Sequence, residues 1–369
     1  MTQPIHAILT QQLLSDFDDD DDDRFSTSSI LTPSAIATSV TSYDVSMRSA
    51  SPVPSVMSIT SLLREQMIRQ EHGRGLNNYS EVYCLPADEQ EWDRLKKQYS
   101  FMSDMMGKYP PPLHDIMRDD GLGGEVKRCL DLGCGNGSWI MDLARDYPHC
   151  EAVAVDLVPM QSSSMPPNVR SEVDDINLGL EHFYGDFNVV HAWLISSGIK
   201  DYERLIDQIS HVLRPGGLID VMEWDFYIYD ANRNRIEASM DQFAPPWLPR
   251  FVSLVTSAIR NRGGDIDGPE VMETLIQNHP SFENVVCRSF WVPASPWQNL
   301  QEDSHVDTKN FSIMRENVFE FLKSAAPLLL STGLQPEQFE ILQNNARQEL
   351  ADGALYLARM KRVYAVKRH

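Results

Sequence analysis

A short apolar segment followed by three closely spaced glycines, Arg128 to Ile140, constrains the fold more than any other stretch of the chain. The apolar part is brief, which is typical of a parallel strand covered on both faces. Gly133, Gly135 and Gly137 let the backbone turn sharply and approach a ligand, because no Cβ is in the way. The helix predicted from Ser138 directs its free N–H groups and positive dipole end at the same place. The stretch therefore predicts a nucleotide-type pocket at the carboxyl end of a strand in an open α/β sheet.

The glycine spacing distinguishes between nucleotide pockets. The dinucleotide pattern G-x-G-x-x-G is not met, because position 138 is Ser and the third glycine comes one residue early. The pattern D-x-G-x-G-x-G, which begins at Asp131, instead resembles motif I of class I S-adenosylmethionine (SAM) dependent methyltransferases. The resemblance implies that Asp131 lies near the amino acid part of SAM. It also implies that the loop residues contact the cofactor, namely Gly133, Cys134, Gly135, Asn136 and Gly137.

Acids at strand ends follow this loop in the order that the resemblance requires. Glu151 to Asp156 is a second apolar strand, and its terminal carboxylate can accept hydrogen bonds from both hydroxyls of a ribose. Leu157 comes directly after it and is included in the predicted cofactor site. A third strand ends near Val173, and the positions that follow resemble those that meet the adenine in this family. These are Asp174, Asp175 and Ile176.

The rest of the chain predicts a complete Rossmann-like α/β fold of the class I methyltransferase type. Strands are predicted at 187–193, 218–223, 285–292 and 359–367, which makes a seven-stranded, mostly parallel sheet with an antiparallel last strand. Asp201 caps a helix between the fourth and fifth strands, and Arg214-Pro215-Gly216-Gly217 ends that helix. Extra helices are predicted at the N-terminus and after the fifth strand, with a helical insertion at about 230–280.

Two further segments narrow the resemblance to the fungal LaeA-like (UMTA-type) methyltransferases. The first is Asn78-Tyr79 through Leu95, and the second is Asp156-Leu-Val-Pro159-Met-Gln161. The resemblance covers roughly residues 77–369 and is weakest after Asp230. We therefore expect three parts: a disordered tail at 1–60, an N-terminal helical cap at 61–120, and the SAM-dependent methyltransferase domain at 121–369.

Charge and composition exclude several classes of protein. The net charge is −21, so we expect no nucleic-acid partner bound through a basic surface. Residues 1–60 carry a net −6, and 17 of the 36 residues at 26–61 are Ser or Thr, which predicts disorder. The five cysteines have no metal-ligand or disulfide spacing, and no apolar run of 18 residues exists. We therefore expect no metal, no membrane span and a cytoplasmic protein, whose tail is a candidate contact for a protein partner.

Methyl transfer requires alignment of the acceptor and exclusion of water more than a fixed catalytic triad. A general base is needed only where the acceptor must lose a proton. His191 and Glu223 end the fourth and fifth strands beside the cleft and are the candidate bases. His191 is also a candidate cofactor contact, and a purely structural histidine is the alternative. The candidate substrate contacts are Tyr79, Tyr83 and Trp193.

Three functions are compatible with these features. The first is transfer of a methyl group from SAM to a small-molecule acceptor, in fungal secondary metabolism as the resemblance implies. The second is a LaeA-like regulator of secondary metabolism and development, located in the nucleus and acting with velvet-type partners. The third is a binding protein with the same fold and no catalysis, which the intact glycine loop and both acids disfavour. The absence of a basic nuclear-import run favours the enzyme.

Overall fold

The computed structural model describes residues 66–121, 123–160, 164–239, 242–294 and 308–369. The tail predicted to be disordered at 1–60 lies outside the described residues. The first described elements are two short strands, β1 (Ile68–Glu71) and β2 (Arg74–Asn77). They are followed by helices α1 (Glu89–Met106) and α2 (Pro112–Ile116).

A seven-stranded sheet forms the centre of the protein. Its strand order is β5-β4-β3-β6-β7-β9-β8. The pairs from β5 to β7 are parallel, while β9 runs antiparallel to both β7 and β8. The predicted Rossmann-like sheet with an antiparallel last strand is confirmed. The strands are β3 (Arg128–Leu132), β4 (Glu151–Asp156), β5 (Val169–Val173), β6 (Phe187–Trp193), β7 (Leu213–Tyr229), β8 (Phe282–Pro293) and β9 (Leu357–Lys367).

The order of the strands places the functional region between β3 and β6. The chain runs outward from β3 to β4 and β5, then returns to pair β6 against the other side of β3. In open α/β sheets, a ligand binds beyond the carboxyl ends of the strands at such a reversal. Asp131 and His191 are register partners across this β3–β6 pair.

Both faces of the sheet are covered by helices, which is why the central strands are mostly apolar. On one face, Leu130 and Leu132 pack with the buried side of α4 (Tyr202–Val212). On the other face, Cys129 packs with α2 and with α3 (Ser138–Asp146). Asp201 caps α4 by accepting the N–H of Arg204 at 2.8 Å, as its position before the apolar stripe predicts.

The segment 61–120 was predicted to be a helical cap, and its described part differs from this at 68–77, where it contains two strands. Strands β1 and β2 form an antiparallel hairpin before α1. Their two-residue turn consists of His72 and Gly73, with φ angles of 49° and 77°. A turn with positive φ at both central residues suits the twist of a hairpin, and this local geometry overrides the helical composition. Arg74 then ties the hairpin to α1 through a 2.7 Å contact with the capping Asp88.

Two helical groups are inserted between the last strands. Helices α5 (Trp247–Asn261) and α6 (Gly268–Asn278) follow β7, within the predicted insertion. Helices α7 (Thr308–Ser324), α8 (Ala326–Leu330) and α9 (Pro336–Ala351) follow β8. Residues of α5, α7, α8 and α9 share one apolar cluster with the end of β7. This second core lies beside the carboxyl ends of the strands.

Candidate functional site

The loop after β3 is shaped by its glycines and by one carboxylate. Gly135 has a φ of 55°, and its N–H donates to Asp156 Oδ2 at 2.8 Å. Gly137 has a φ of 74° and precedes α3, and a Cβ built on it would lie 1.9 Å from Met160 Sδ. A side chain at either position would be strained by the positive φ and would press on a neighbouring side chain. The loop therefore presents bare backbone to the space in front of α3.

Asp156 occupies the end of β4 beside this loop. Its other oxygen, Oδ1, accepts the N–H of Val158 at 3.4 Å. Burial raises the pKa of this carboxyl, against the opposing effect of its backbone hydrogen bonds. The side chain is therefore held in one orientation at the edge of a cavity, with lone pairs left for a ligand.

Asp131 and His191 form a buried pair across β3 and β6. Asp131 Oδ1 lies 2.7 Å from His191 Nδ1, and both side chains are about 3% exposed. Burial lowers the pKa of His191 to about 3, so the ring is neutral at physiological pH. The imidazole ring of His191 stacks on the indole ring of Trp139, with ring centroids 3.6 Å apart. His191 Nε2 is buried and has no partner among the described residues.

These groups line a single cavity, which we call the cofactor cavity; its volume is about 160 Å³. Eleven of the twelve residues predicted to bind the cofactor line it, and the exception is Gly137, which directly precedes α3. They are Asp131, Gly133, Cys134, Gly135, Asn136, Asp156, Leu157, Asp174, Asp175, Ile176 and His191.

The candidate substrate contacts separate in the structure. Tyr83 and Trp193 line the cofactor cavity. Tyr79 does not line it and is 55% exposed. Asn77 Oδ1 accepts the N–H groups of Tyr79 and Ser80, and this tight turn carries Tyr79 away from the site.

Helix α1 forms the roof of the cofactor cavity. Four of its residues at helical spacing line the cavity: Leu95, Gln98, Tyr99 and Met102. Asn136 Nδ2 donates to the Trp92 carbonyl at 3.2 Å, and Tyr99 donates to Asp142 at 2.9 Å, which connects the roof to the loop and to α3. The 3.6-residue period was visible in the sequence, but it is equally typical of a core helix.

A second cavity, the apolar cavity, lies against the first and has a volume of about 130 Å³. Gln98, Met102 and Leu194 line both cavities. The apolar cavity is otherwise formed by α5, α7 and the ends of β7 and β9. Glu223, predicted as a candidate base beside the cleft, lines this second cavity and not the first.

Glu223, predicted to end its strand, is buried within β7, which continues to Tyr229, and it accepts hydrogen bonds from several donors. Ile195 N and Ser196 N donate to Oε1 at 3.0 and 3.1 Å, and Ser196 Oγ donates to Oε2 at 2.8 Å. Tyr202 also donates to it, at 3.3 Å. Burial outweighs these contacts and raises the pKa of Glu223 to about 7. The carboxyl therefore fixes the loop after β6 and titrates near neutral pH.

The raised pKa of Glu223 predicts a pH-dependent stability. Between its ordinary pKa of 4.5 and the folded value of about 7, the folded state holds a proton that the unfolded state has lost. The free energy of unfolding should therefore fall by about 3 kcal/mol as the pH rises through this window. Chemical denaturation of the wild type and Glu223→Gln at pH 5 and pH 8 tests this, with the exposed Glu125→Gln as control. A difference between wild type and Glu223→Gln that is the same at both pH values would contradict it.

A second buried network supports His191 from the next strand. Asp220 is the register partner of His191 on β7, and Arg362 contacts both oxygens of Asp220 at 2.8 Å. Arg362 also donates to the Gly107 carbonyl at 2.8 Å and lies 4.8 Å from the centre of the Trp193 ring. The ion pair therefore joins the roof, the sheet and one wall of the cofactor cavity.

The residues of the cofactor cavity fit SAM. The glycine loop allows close approach, Asp156 offers lone pairs, and the buried His191 Nε2 and Trp193 Nε1 lack partners among the described residues. The sheet order, glycine loop and acid-ended strands together are those of a class I SAM-dependent methyltransferase.

Comparison with known proteins agrees with this class. A family model described as a methyltransferase domain matches residues 103–247. The secondary metabolism regulator laeA of Coprinopsis cinerea is 46% identical over 76% of this chain and 69% of its own length. Methyltransferase str2 of Strobilurus tenacellus is 26% identical over 73% of this chain and 90% of its own length. The chain belongs to the LaeA-like family of SAM-dependent methyltransferases.

Similarity to solved structures is lower. Phosphoethanolamine N-methyltransferase 2 of Haemonchus contortus, in complex with SAM, is 16% identical with a TM-score of 0.40. The match covers 76% of this chain and 59% of that one.

Within the described ranges, no helix is long and apolar enough to cross a membrane, and no group of three or more His, Cys, Asp or Glu is arranged to hold a metal ion.

Proposed function

We propose that this protein transfers the methyl group of SAM to a small-molecule acceptor held in the apolar cavity. The observation that carries the proposal is the junction of the two cavities at Gln98, Met102 and Leu194. An acceptor in one cavity and a cofactor in the other would meet at these side chains. SAM supplies the sulfonium methyl group and the leaving group, so the protein mainly aligns the two molecules and excludes water.

The lining of the cofactor cavity supports a role for each group. Asp156 accepts the ribose hydroxyls, and Asp131 lies at the amino acid part together with His191. Asp174 and Asp175 stand at the adenine, between Leu157 and Ile176. The roof helix α1 closes the cavity over the bound molecule and keeps water from the methyl group.

Glu223 is the better general base for an acceptor that must lose a proton. Its pKa of about 7 is matched to the working pH, and it lines the apolar cavity. His191, with a pKa of about 3, binds protons too weakly for this task. We propose that His191 serves instead as an uncharged wall of the cofactor cavity.

The proposal predicts that Asp156→Ala weakens SAM binding about 100-fold or more. The change removes two charge-assisted hydrogen bonds to the ligand, each worth about 1.5–3 kcal/mol, and also releases Gly135 N–H. Isothermal titration calorimetry with SAM and with its demethylated product measures the loss. Asp207→Ala, on the exposed side of α4, is the matched control and should bind normally. Absence of SAM binding by folded wild-type protein would overturn the proposed function.

A second candidate function, regulation of secondary metabolism, is favoured by the pattern of identities. The chain is 46% identical to a protein named a secondary metabolism regulator, and 26% and 28% identical to methyltransferases str2 and pytC. In this case the acceptor or partner is a protein of the velvet type, contacted through residues 1–60, and the location is the nucleus. For the metabolic enzyme, the location is the cytoplasm.

One genetic comparison separates the two functions. An Asp156→Ala allele of a metabolic enzyme should remove one methylated product and leave the transcripts of other biosynthetic genes unchanged. The same allele of a methylating regulator should change many of those transcripts together. Metabolite and transcript profiles of the Asp156→Ala and Asp207→Ala alleles provide the measurement, and fluorescence microscopy of the tagged protein gives the compartment.

A further inference from the structure

We propose that the apolar cavity selects an uncharged, largely apolar acceptor. An oxygen or nitrogen atom of this acceptor accepts a hydrogen bond from the indole N–H of Trp224. This inference rests on the proposed function and specifies the chemical class of the acceptor. It is drawn from the lining of the cavity, from the pairing of its charges and from one donor that has no partner.

The lining of the cavity is apolar on nearly every side. One face of α5 contributes Leu248, Val252, Val255 and Ile259. Helix α7, the end of β7 and the start of β9 complete the wall with Met314, Val318, Phe321, Phe226, Ile228, Ala358 and Met360. Such a surface favours a ligand whose apolar surface is removed from water on binding. These apolar side chains offer no polar group to replace the hydration of an ion.

The charged groups that line the cavity are already paired within the protein. Arg94 Nη2 donates to Glu91 Oε1 at 2.6 Å, and its Nη1 contacts Gln98 and Asn317. Glu223 is held by the donors of the β6–α4 loop. A charged ligand would therefore find no free opposite charge and would lose its hydration without compensation.

Trp224 provides the exception, because its indole N–H has no partner among the described residues. The ring is fixed by packing at 5.0 Å on Phe226 and at 5.9 Å on Phe321. A buried donor without a partner lowers stability unless a ligand satisfies it. The Trp224 ring lines the apolar cavity, so we assign its unpaired N–H to the acceptor.

Backbone strain is found at the same cavity. Phe226 has a φ of 57° within a register shift of β7, and Leu194 has a φ of 58° directly after β6. Positive φ is rare for bulky residues and costs free energy. Both of these residues line the apolar cavity. The surrounding structure holds Phe226 and Leu194 in these strained conformations, which fixes their positions in the wall of the apolar cavity.

Three probes of nearly equal shape test this selectivity on the full-length protein. 2-Acetonaphthone carries a carbonyl oxygen, 2-ethylnaphthalene lacks it, and 2-naphthoate replaces the methyl with a second, charged oxygen. Calorimetry in the presence of SAM should rank 2-acetonaphthone first and 2-ethylnaphthalene second, with 2-naphthoate weakest. Equal or tighter binding of 2-naphthoate, or no binding of any probe, would overturn the inference.

Two variants connect the binding to this cavity. Trp224→Phe keeps the ring and removes the N–H, so the affinity for 2-acetonaphthone should fall about threefold to tenfold while that for 2-ethylnaphthalene stays constant. Val255→Trp fills the cavity and should abolish binding of both, whereas Val271→Trp, on an exposed face of α6, should not. An unchanged affinity for 2-acetonaphthone in Trp224→Phe would contradict the assigned donor.

The SAM titration separates the two levels of the proposal. Loss of probe binding with normal SAM binding rejects only the acceptor class. Failure of the folded protein to bind SAM rejects the proposed function itself.

Discussion

Gly135→Val should abolish detectable SAM binding while the protein remains folded. Gly135 has a φ of 55°, where a β-branched residue is strained, and its Cβ would lie 3.1 Å from Leu95 Cδ1 of the roof helix. The valine side chain would occupy the space that the backbone leaves for the ligand. It would also disturb the hydrogen bond between Gly135 N–H and Asp156. We expect the dissociation constant, measured by calorimetry, to rise about 100-fold or more.

The matched control for this variant is Gly185→Val. Gly185 has a φ of 74°, and nothing lies within 4 Å of a Cβ built there. Both variants therefore carry similar backbone strain, about 1–2 kcal/mol, but only one fills the cofactor cavity. If both bind SAM as the wild type does, or if both lose binding equally, the glycine loop has been assigned wrongly.

Arg362→Met should lower the free energy of unfolding by about 3–5 kcal/mol. The side chains of Arg362 and Asp220 are 3% and 0% exposed, and the pair is bidentate. Removal of one partner leaves the other as an uncompensated charge in the core. The double variant Arg362→Met/Asp220→Leu removes both charges, so we expect it to recover most of the loss. Denaturation with urea gives each value.

An exposed ion pair provides the comparison for Arg362. Arg260 and Asp267 lie 2.9 Å apart, with side chains 53% and 67% exposed. Arg260→Met should therefore change the free energy of unfolding by less than about 1 kcal/mol. Equal effects of the buried and exposed substitutions would show that burial does not control the contribution of the Asp220 pair.

Features that depend on a few consecutive residues could be predicted from the sequence. The glycine loop, the acids at strand ends and the capped helix α4 follow from local backbone rules. The sheet could be predicted because its central strands are mostly apolar and are separated by clear turn signals. The Arg214-Pro-Gly-Gly element is a partial exception, since β7 continues through it with an irregular register against β6.

Features that join distant parts of the chain could not be read from the sequence. The hairpin at His72-Gly73 was hidden by helical composition, and the spacing of Leu95, Tyr99 and Met102 on α1 did not distinguish cavity-lining side chains from core side chains. Glu223 was predicted beside the cleft, but only the packing of α5 and α7 places it in a separate apolar cavity.

The sequence by itself indicated the type of fold through local patterns at the ends of neighbouring strands. Its resemblance to class I methyltransferases indicated the cofactor and eleven of the residues that line its cavity. The tertiary structure alone decided which residues form the apolar cavity proposed for the acceptor. Leu85, Trp224 and Met360 come together there from positions more than 100 residues apart. Such contacts arise from burial of apolar surface, which depends on the whole packed chain and has no signature in any short segment.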